Sequence, residues 1–369
     1  MKQSLYLAGA FVGVIVGAGF GSGQEIMQFF TNFGFYSIPA ILLATILFSF
    51  VAMQLSQLGS HMQATSHKEI IEVLCGRFLG QALDIILSFF LFGVGVIMIA
   101  GAGSIVDQQF GIPAFWGSLF MTVITILTML LKVERIITII SSITPFLLAI
   151  MIVVSGYALY KNGITPVDIE RNVDLSKAAA SNWFMSAMLY VSFNVAVGFS
   201  MLSVISGTFK DKKQAATGGI MGGILLGVLL LLINAGMMTN LANMQIVEMP
   251  TLFLANNISP IVGNLLSIIL LAMIYNTCVG MFYSFTVRII PQGRFFPLSV
   301  AIVGIIGFAL SFAGFTVLVN TVYPIMGYVG FILLAAIGWS WIKSKHHAPE
   351  INRIVMNEEM ENIPKKEAV

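Results

Sequence analysis

The chain has 369 residues, of which 58% are apolar and 9% charged, and its 18 Lys and Arg against 16 Asp and Glu leave a net charge of +2. Soluble domains carry about 25% charged residues, and so few cannot clothe a protein of this size in water. A soluble enzyme, a nucleic-acid binder and a disordered chain are thereby excluded. The mean hydropathy is +0.95, and apolar runs extend from one end to the other. They lack the short alternation of an outer-membrane barrel, so the chain reads as an all-α polytopic membrane protein.

A spanning helix needs about 20 mostly apolar residues. In chain order, ten such segments are predicted, at 4–30, 36–58, 80–105, 114–132, 136–160, 182–207, 215–239, 261–289, 297–313 and 315–342. Gly314 is nearly the whole break between the last two. Residues 1–342 form the membrane domain, and 343–369 turn polar and read as a cytoplasmic tail. The first run is too long for a cleavable signal, and no small-residue cleavage site leads on to a soluble domain. The connection 65–76 has apolar positions at helical spacing and reads as an interfacial helix on the inner face. Residues 246–257 mix an acid, a proline and an apolar stripe. They read as an interfacial helix or as a lid over an outer vestibule.

The basic residues set the orientation. With the N-terminus inside, Lys2, Lys68, Arg77, Lys132, Arg135, Lys210, Lys212, Lys213, Arg288, Arg294, Lys343, Lys345, Arg353, Lys365 and Lys366 fall on the inner side. Lys161, Arg171 and Lys177 fall outside. Such a bias places both termini in the cytoplasm of a cell-membrane protein, and no Lys or Arg lies in the interior of a span. Cys75 and Cys278 sit in separate segments and suggest neither a disulfide framework nor a zinc site. His61, His67, His346 and His347 lie in connections or the tail, so no imidazole relay is available within the membrane.

Ten spans divide into two halves of five, about 4–160 and 182–342. An odd number per half forces the halves into opposite orientations, as an inverted-repeat transporter requires. The first span carries Gly9, Gly13, Gly17, Gly19, Gly21 and Gly23. Each glycine costs about 1 kcal/mol relative to alanine inside a helix, so a continuous helix is weak from Gly17 to Gly23. Unwinding after Gly17 is one reading, and exposed backbone groups at membrane depth then line a cavity or hold a ligand. Close packing through small-x-x-x-small spacing is the other. The sixth span holds Ser192, Asn194, Gly198 and Ser200 near its middle, and Val197-Gly198-Phe199-Ser200 loosely echoes Gly19-Phe20-Gly21-Ser22.

Around Gly17-Ala18-Gly19-Phe20-Gly21-Ser22-Gly23-Gln24-Glu25 the sequence resembles transporters of the amino acid–polyamine–cation superfamily, and most nearly an uncharacterised bacterial family of amino-acid permeases within it. Permeases of that superfamily often carry Gly-Ser-Gly at the break, where this chain has Ala18 in the middle. The resemblance implies a LeuT-like fold of five plus five helices with the first and sixth discontinuous. It implies a substrate site along Gly17, Ala18, Gly19, Phe20, Gly21 and Ser22, with a carboxylate at the backbone of Ala18, Gly19 and Gly21, faced by Phe193, Asn194, Gly198 and Phe199. It also implies a sodium ion between carbonyls of Gly13 and Val16 and the eighth span, where Tyr275, Asn276 and Thr277 lie and Thr277 is the preferred hydroxyl.

Glu25 and Asp84 are the acids that lie clearly within spans. A buried ionisable group is a functional hypothesis by default. Glu25 falls in the first turn of the expected outer half-helix. There it either steadies the helix start or binds an ammonium, carries a coupling proton or gates, with Gln24 beside it. Asp84 reads as an interfacial acid. Ser141, Ser142 and Thr144 before Pro145, and Asn320, Thr321 and Tyr323 before Pro324, either line the path or repair the helix near a proline.

The function expected is secondary active transport of an amino acid or similar small zwitterion by alternating access, coupled to sodium or protons and without a resident cofactor. No P-loop is present to drive an ATP pump. No metalloprotease or nucleophile-elbow motif marks a membrane enzyme. A receptor on the same scaffold and a transporter of another solute or a metal ion are the alternatives. Substrate identity and oligomeric state stay open at this level.

Overall fold

The computed structural model describes residues 2–64, 67–130, 144–289 and 293–361. Among them there is no strand. The expected spans appear as helices whose ends follow glycine and proline. The first span is divided into α1 (Lys2–Ile15), α2 (Ala18–Ser22) and α3 (Gln24–Phe29). Then come α4 (Ser37–Met62), α5 (His67–Phe110), α6 (Ala114–Leu130), α7 (Thr144–Asn162) and the short α8 (Pro166–Asn172). The second half holds α9 (Trp183–Gly207), α10 (Lys212–Met238), α11 (Leu241–Met244), α12 (Pro250–Ile258), α13 (Pro260–Ile289), α14 (Phe296–Ser311) and α15 (Phe315–Glu361).

Among the described residues, six helices are long and apolar enough to cross a membrane, and α9 is a seventh if its two arms count as one span. Those arms, Trp183–Phe199 and Met201–Gly207, meet at 56°. The three other expected spans are shorter apolar helices, Gln3–Ile15 in the broken first span, Ala114–Leu130 and Phe296–Ser311. Gly314 takes φ +89°, a conformation natural to glycine, and separates α14 from α15. The expected start of the fifth span at 136, with Ser141 and Ser142, lies outside the described residues. Gly76, at φ +74° and ψ 168°, splits α5 into an amphipathic lead-in and a spanning part. Ile70 and Ile71 of the lead-in are buried and Val73 is exposed. The helix α15 does not stop where the polar tail begins at 343 but continues to Glu361.

The helices sort into two groups. Spans one, two, six and seven pack together as α1, α4, α9 and α10. Spans three, four, eight and nine pack together as α5, α6, α13 and α14. Each group pairs a span with the one five places later, the signature of a five-plus-five repeat. The helix α15 joins the groups by touching both α9 and α5.

Glycine makes the first group tight. On α10, a methyl added at Gly219 or Gly223 would collide with backbone atoms of α4 at Ala52, Met53 and Ser49. At Gly218 and Gly222, one turn apart on a second face, it would meet Leu7 and Phe11 of α1. Lipid offers no hydrophobic drive between helices, so close backbone approach of this kind supplies the association.

Candidate functional site

The first span breaks twice. Gly17 N–H turns back to the Ile15 carbonyl at 2.8 Å, a two-residue step instead of the helical four. Gly23 then takes φ +82°, where a Cβ is strained, and Thr251 and Pro250 of α12 crowd the same spot. Between the breaks, residues 18–22 make one helical turn. The expectation of a run unwound after Gly17 is corrected accordingly: Gly17 and Gly23 break the helix, and the glycines between them do not. Ser22 explains the survival of this turn, since its hydroxyl donates to the Gly19 carbonyl (2.7 Å) and accepts from Gln24 N–H (3.1 Å).

The short α3 has carbonyls that no following helix can satisfy. Donors from outside the helix meet them. Thr31 Oγ1 donates to the Ile26 carbonyl (3.2 Å), Ser186 Oγ to that of Phe29 (2.7 Å) and Ala179 N–H to that of Gln28 (3.0 Å). Thr251 Oγ1 donates to the Gly21 carbonyl at 2.5 Å. In a membrane, such interhelical bonds contribute about 0.6–1.7 kcal/mol each.

Glu25 occupies the first turn of α3, as expected, and is 5% exposed. Its carboxyl folds back over Gly19, where an added methyl would collide with it and lie 2.9 Å from the Tyr323 hydroxyl. Tyr323 of α15 hydrogen-bonds the same carboxyl. The Tyr323 ring stacks on Phe193 of α9, with centroids 4.8 Å apart and planes 6° apart. Phe193 also meets Phe29 and Tyr190, at 5.4 and 5.3 Å. Glu25 thus sits where the broken first span, the bent sixth span and the tenth span converge.

Gly198 lies at this crossing, where an added methyl would meet Ile15 at 3.1 Å and Val14 at 3.4 Å. Phe20 and Phe199 are fully buried, and Asn194 donates to the Tyr190 carbonyl one turn back (2.9 Å). Gln24 is buried, with Oε1 unpartnered. On α13, Leu270 abuts Gly21, and Asn276 and Thr277 lie about two turns further along. The Thr277 hydroxyl donates to the Met273 carbonyl (3.0 Å). Tyr275 turns away from the break and shares a 2.6 Å hydrogen bond with Thr128 of α6. Thr321 bonds the Val317 carbonyl of its own helix. Asp84, about two turns past the Gly76 kink of α5, is paired at 3.1 Å with Arg288 in the last turn of α13.

Tyr190, Phe29, Gln28 and Thr251 were not singled out from sequence. A tyrosine in mid-span is a polar group in need of a partner, as Asn194 is, and that signal was readable. The segment expected to be an interfacial helix or a lid is α12. Five of its nine residues are buried, which favours the lid. Gln108 holds its start through a reciprocal pair with the Met249 backbone, 3.0 Å each way, and Gln109 pairs with Asn256. Among the described residues, no three His, Cys, Asp or Glu side chains converge as a metal site.

No family model matches the chain. It is 24% identical over 343 residues to the uncharacterized membrane protein YkvI of Bacillus subtilis, covering 90% of this chain and 94% of that one. It is 28% identical over 340 residues to YyaD of the same organism, covering 91% and 95%. Among solved structures it is similar to MhsT in complex with L-phenylalanine, with TM-score 0.60, 15% identity, and 91% and 89% of the two chains covered. The Eremococcus coleocola manganese transporter superposes with TM-score 0.56 and 16% identity, covering 92% and 78%. Mhp1, a nucleobase-cation-symport-1 family transporter, gives TM-score 0.51 and 17% identity, covering 91% and 75%. The chain has the LeuT-like fold. In that fold the breaks at Gly17, Gly23 and Ser200 fall on its first and sixth spans, and Glu25 lies beside the crossing.

Proposed function

We propose that this protein is a secondary active transporter of the amino acid–polyamine–cation type. It moves an amino acid or similar small zwitterion by alternating access, coupled to sodium or protons, across a cell membrane with both termini cytoplasmic. The observation that carries the reading is the crossing of two interrupted spans, with Gly198 against Val14 and Ile15 and the buried Glu25 beside it. Interrupted helices at the midplane free backbone groups for a solute and let one helix group rock against the other. The grouping of α1, α4, α9 and α10 apart from α5, α6, α13 and α14 supplies two bodies able to do so. Glu25 is the coupling or gating acid, with no histidine in any span to share that role. If sodium is the coupling ion, carbonyls of Gly13 and Val16 with Thr277 are its ligands.

Counterflow in proteoliposomes tests the proposal. Vesicles loaded with each of the twenty amino acids in turn should accumulate the labelled counterpart of at least one. A sodium or proton gradient should then drive net uptake. Saturable binding without accumulation would refute transport and favour a receptor.

A further inference from the structure

Away from the crossing of the broken spans, a cavity of about 320 Å³ opens between α4, the lead-in of α5, the start of α10 and α15. Such a volume is enough for a small ligand or a headgroup. It lies at the end of the bundle where the chain begins, since Ser4 of α1 donates to the Gln214 carbonyl (3.0 Å) in the first turn of α10. Arg77, Lys210 and Lys213 are exposed at the same end.

Three observations describe what the cavity takes. First, the polar part of its wall is a set of donors around one cation. Gln54, Gln57 and His61 follow one another at i, i+3 and i+7 on one face of α4, and Lys212 and Ser340 complete the set. Each can donate a hydrogen bond, and no acid lines the cavity. Among the described residues, none of these five side chains makes a hydrogen bond or an ion pair. The nearby Asp211 carboxylate is taken up by the backbone N–H groups of Lys213 and Gln214. A span amide without a partner costs free energy, and a polar occupant removes that cost. Second, the rest of the wall is apolar. Leu55 and Ile337 are buried beneath the cavity, with Leu58 and Leu74 half-buried beside them. Such a wall gives a free phosphate nothing, whereas an acyl chain gains from it. Third, the cavity lies at headgroup depth. Trp341 lines it one residue before the apolar part of α15 ends at Ile342, and tryptophan favours that level of a bilayer. On the α5 lead-in and just past its kink, Val73 and Phe78 are exposed, as in a helix lying in the plane of the interface.

We propose that this cavity binds one anionic phospholipid. Its phosphate sits on Lys212 and His61 with the amides of Gln54 and Gln57 around it, and an acyl chain runs along Leu58 and Leu74. The walls come from α4 and α10 of one helix group, from α5 of the other and from α15 that joins them. The lipid therefore fastens the two groups at this end of the bundle.

Lipid titration of delipidated, full-length protein in detergent tests the site. Melting is followed with phosphatidylglycerol, with phosphatidylcholine of the same chains and with glycerol 3-phosphate. Phosphatidylglycerol should raise Tm by about 3 °C or more at saturation, and the other two should fall well short of it. Lys212→Gln should weaken phosphatidylglycerol about fivefold, the contribution of one basic side chain at an anionic surface, and His61→Ala added to it should weaken it further. Lys213→Gln removes the same charge from the next position, which does not line the cavity, and should leave the titration unchanged. His61, Lys212 and Lys213 are all exposed, so the variants should melt like wild type without lipid. Equal stabilisation by phosphatidylcholine would overturn recognition of the anion. Equal stabilisation by glycerol 3-phosphate would make the ligand a free phosphate ester and overturn the lipid. A loss in Lys213→Gln as large as that in Lys212→Gln would reduce the effect to general surface charge and overturn the site. No rise with phosphatidylglycerol would overturn the whole inference.

Discussion

Gly9 and Gly19 lie on the same broken span and ask for opposite outcomes on replacement by alanine. At Gly9 no atom lies within 4 Å of an added methyl. Gly9→Ala gains helix propensity alone, about 1 kcal/mol, reduced by any effect on the unfolded chain. At Gly19 the methyl lands on the Glu25 carboxyl, with the Glu25 Cδ 2.8 Å away and the Tyr323 hydroxyl 2.9 Å away. Overpacking costs about 1–3 kcal/mol. The two variants should therefore differ by about 2–4 kcal/mol, with Gly19→Ala the less stable. Thermal denaturation of detergent-purified protein, followed by size-exclusion chromatography with fluorescence detection, ranks them. A double-mutant cycle localises the cause. In a Glu25→Ala background the carboxyl is absent, so Gly19→Ala should cost at least about 1 kcal/mol less than in wild type. Equal stability of the two single variants, or strict additivity in the cycle, would refute the placement of Glu25 over Gly19.

Three further outcomes follow from other contacts. Gly223→Ala should destabilise by about 1–3 kcal/mol because Ser49 backbone atoms stand where the new methyl would go, whereas Gly280→Ala, with open space around it, should be neutral or stabilising; melting of both variants checks this. Thr251→Val removes the donor to the Gly21 carbonyl and should cost about 1 kcal/mol while raising amide exchange at residues 250–258, read by hydrogen–deuterium exchange mass spectrometry. Arg288→Ala should change melting by less than about 1 kcal/mol, because the Asp84 pair is about a quarter exposed and water replaces the lost partner.

Much of this site was legible before any tertiary contact was known. The glycine run, the breaks it makes and the place of Glu25 in the first turn of the next helix are local matters. They follow from backbone freedom at Gly17 and Gly23 and from the cost of glycine inside a helix. The bend at Ser200 was legible more faintly, through Asn194, Gly198 and Ser200 in an otherwise apolar span. The helical turn at 18–22 was not, because Ser22 could bond forward or back and only the folded backbone selects Gly19. Nor was the role of Gly19 itself. Its need to be glycine comes from a side chain six residues on that folds over it.

Sequence alone determined that the chain crosses a membrane, where most spans lie, and that its halves are of opposite orientation, because hydrocarbon admits only apolar helices of a set length and an odd count per half inverts them. Tertiary structure decided what meets Glu25. Tyr323 lies 298 positions away along the chain and Tyr190 lies 165 away, and no periodicity in either segment says which face turns inward. In lipid, both faces of a span are apolar, so the pattern that orients a helix in water is missing. Close contacts at Gly219, Gly223 and Gly198 set those rotations, and with them the meeting of Tyr323 with one buried acid.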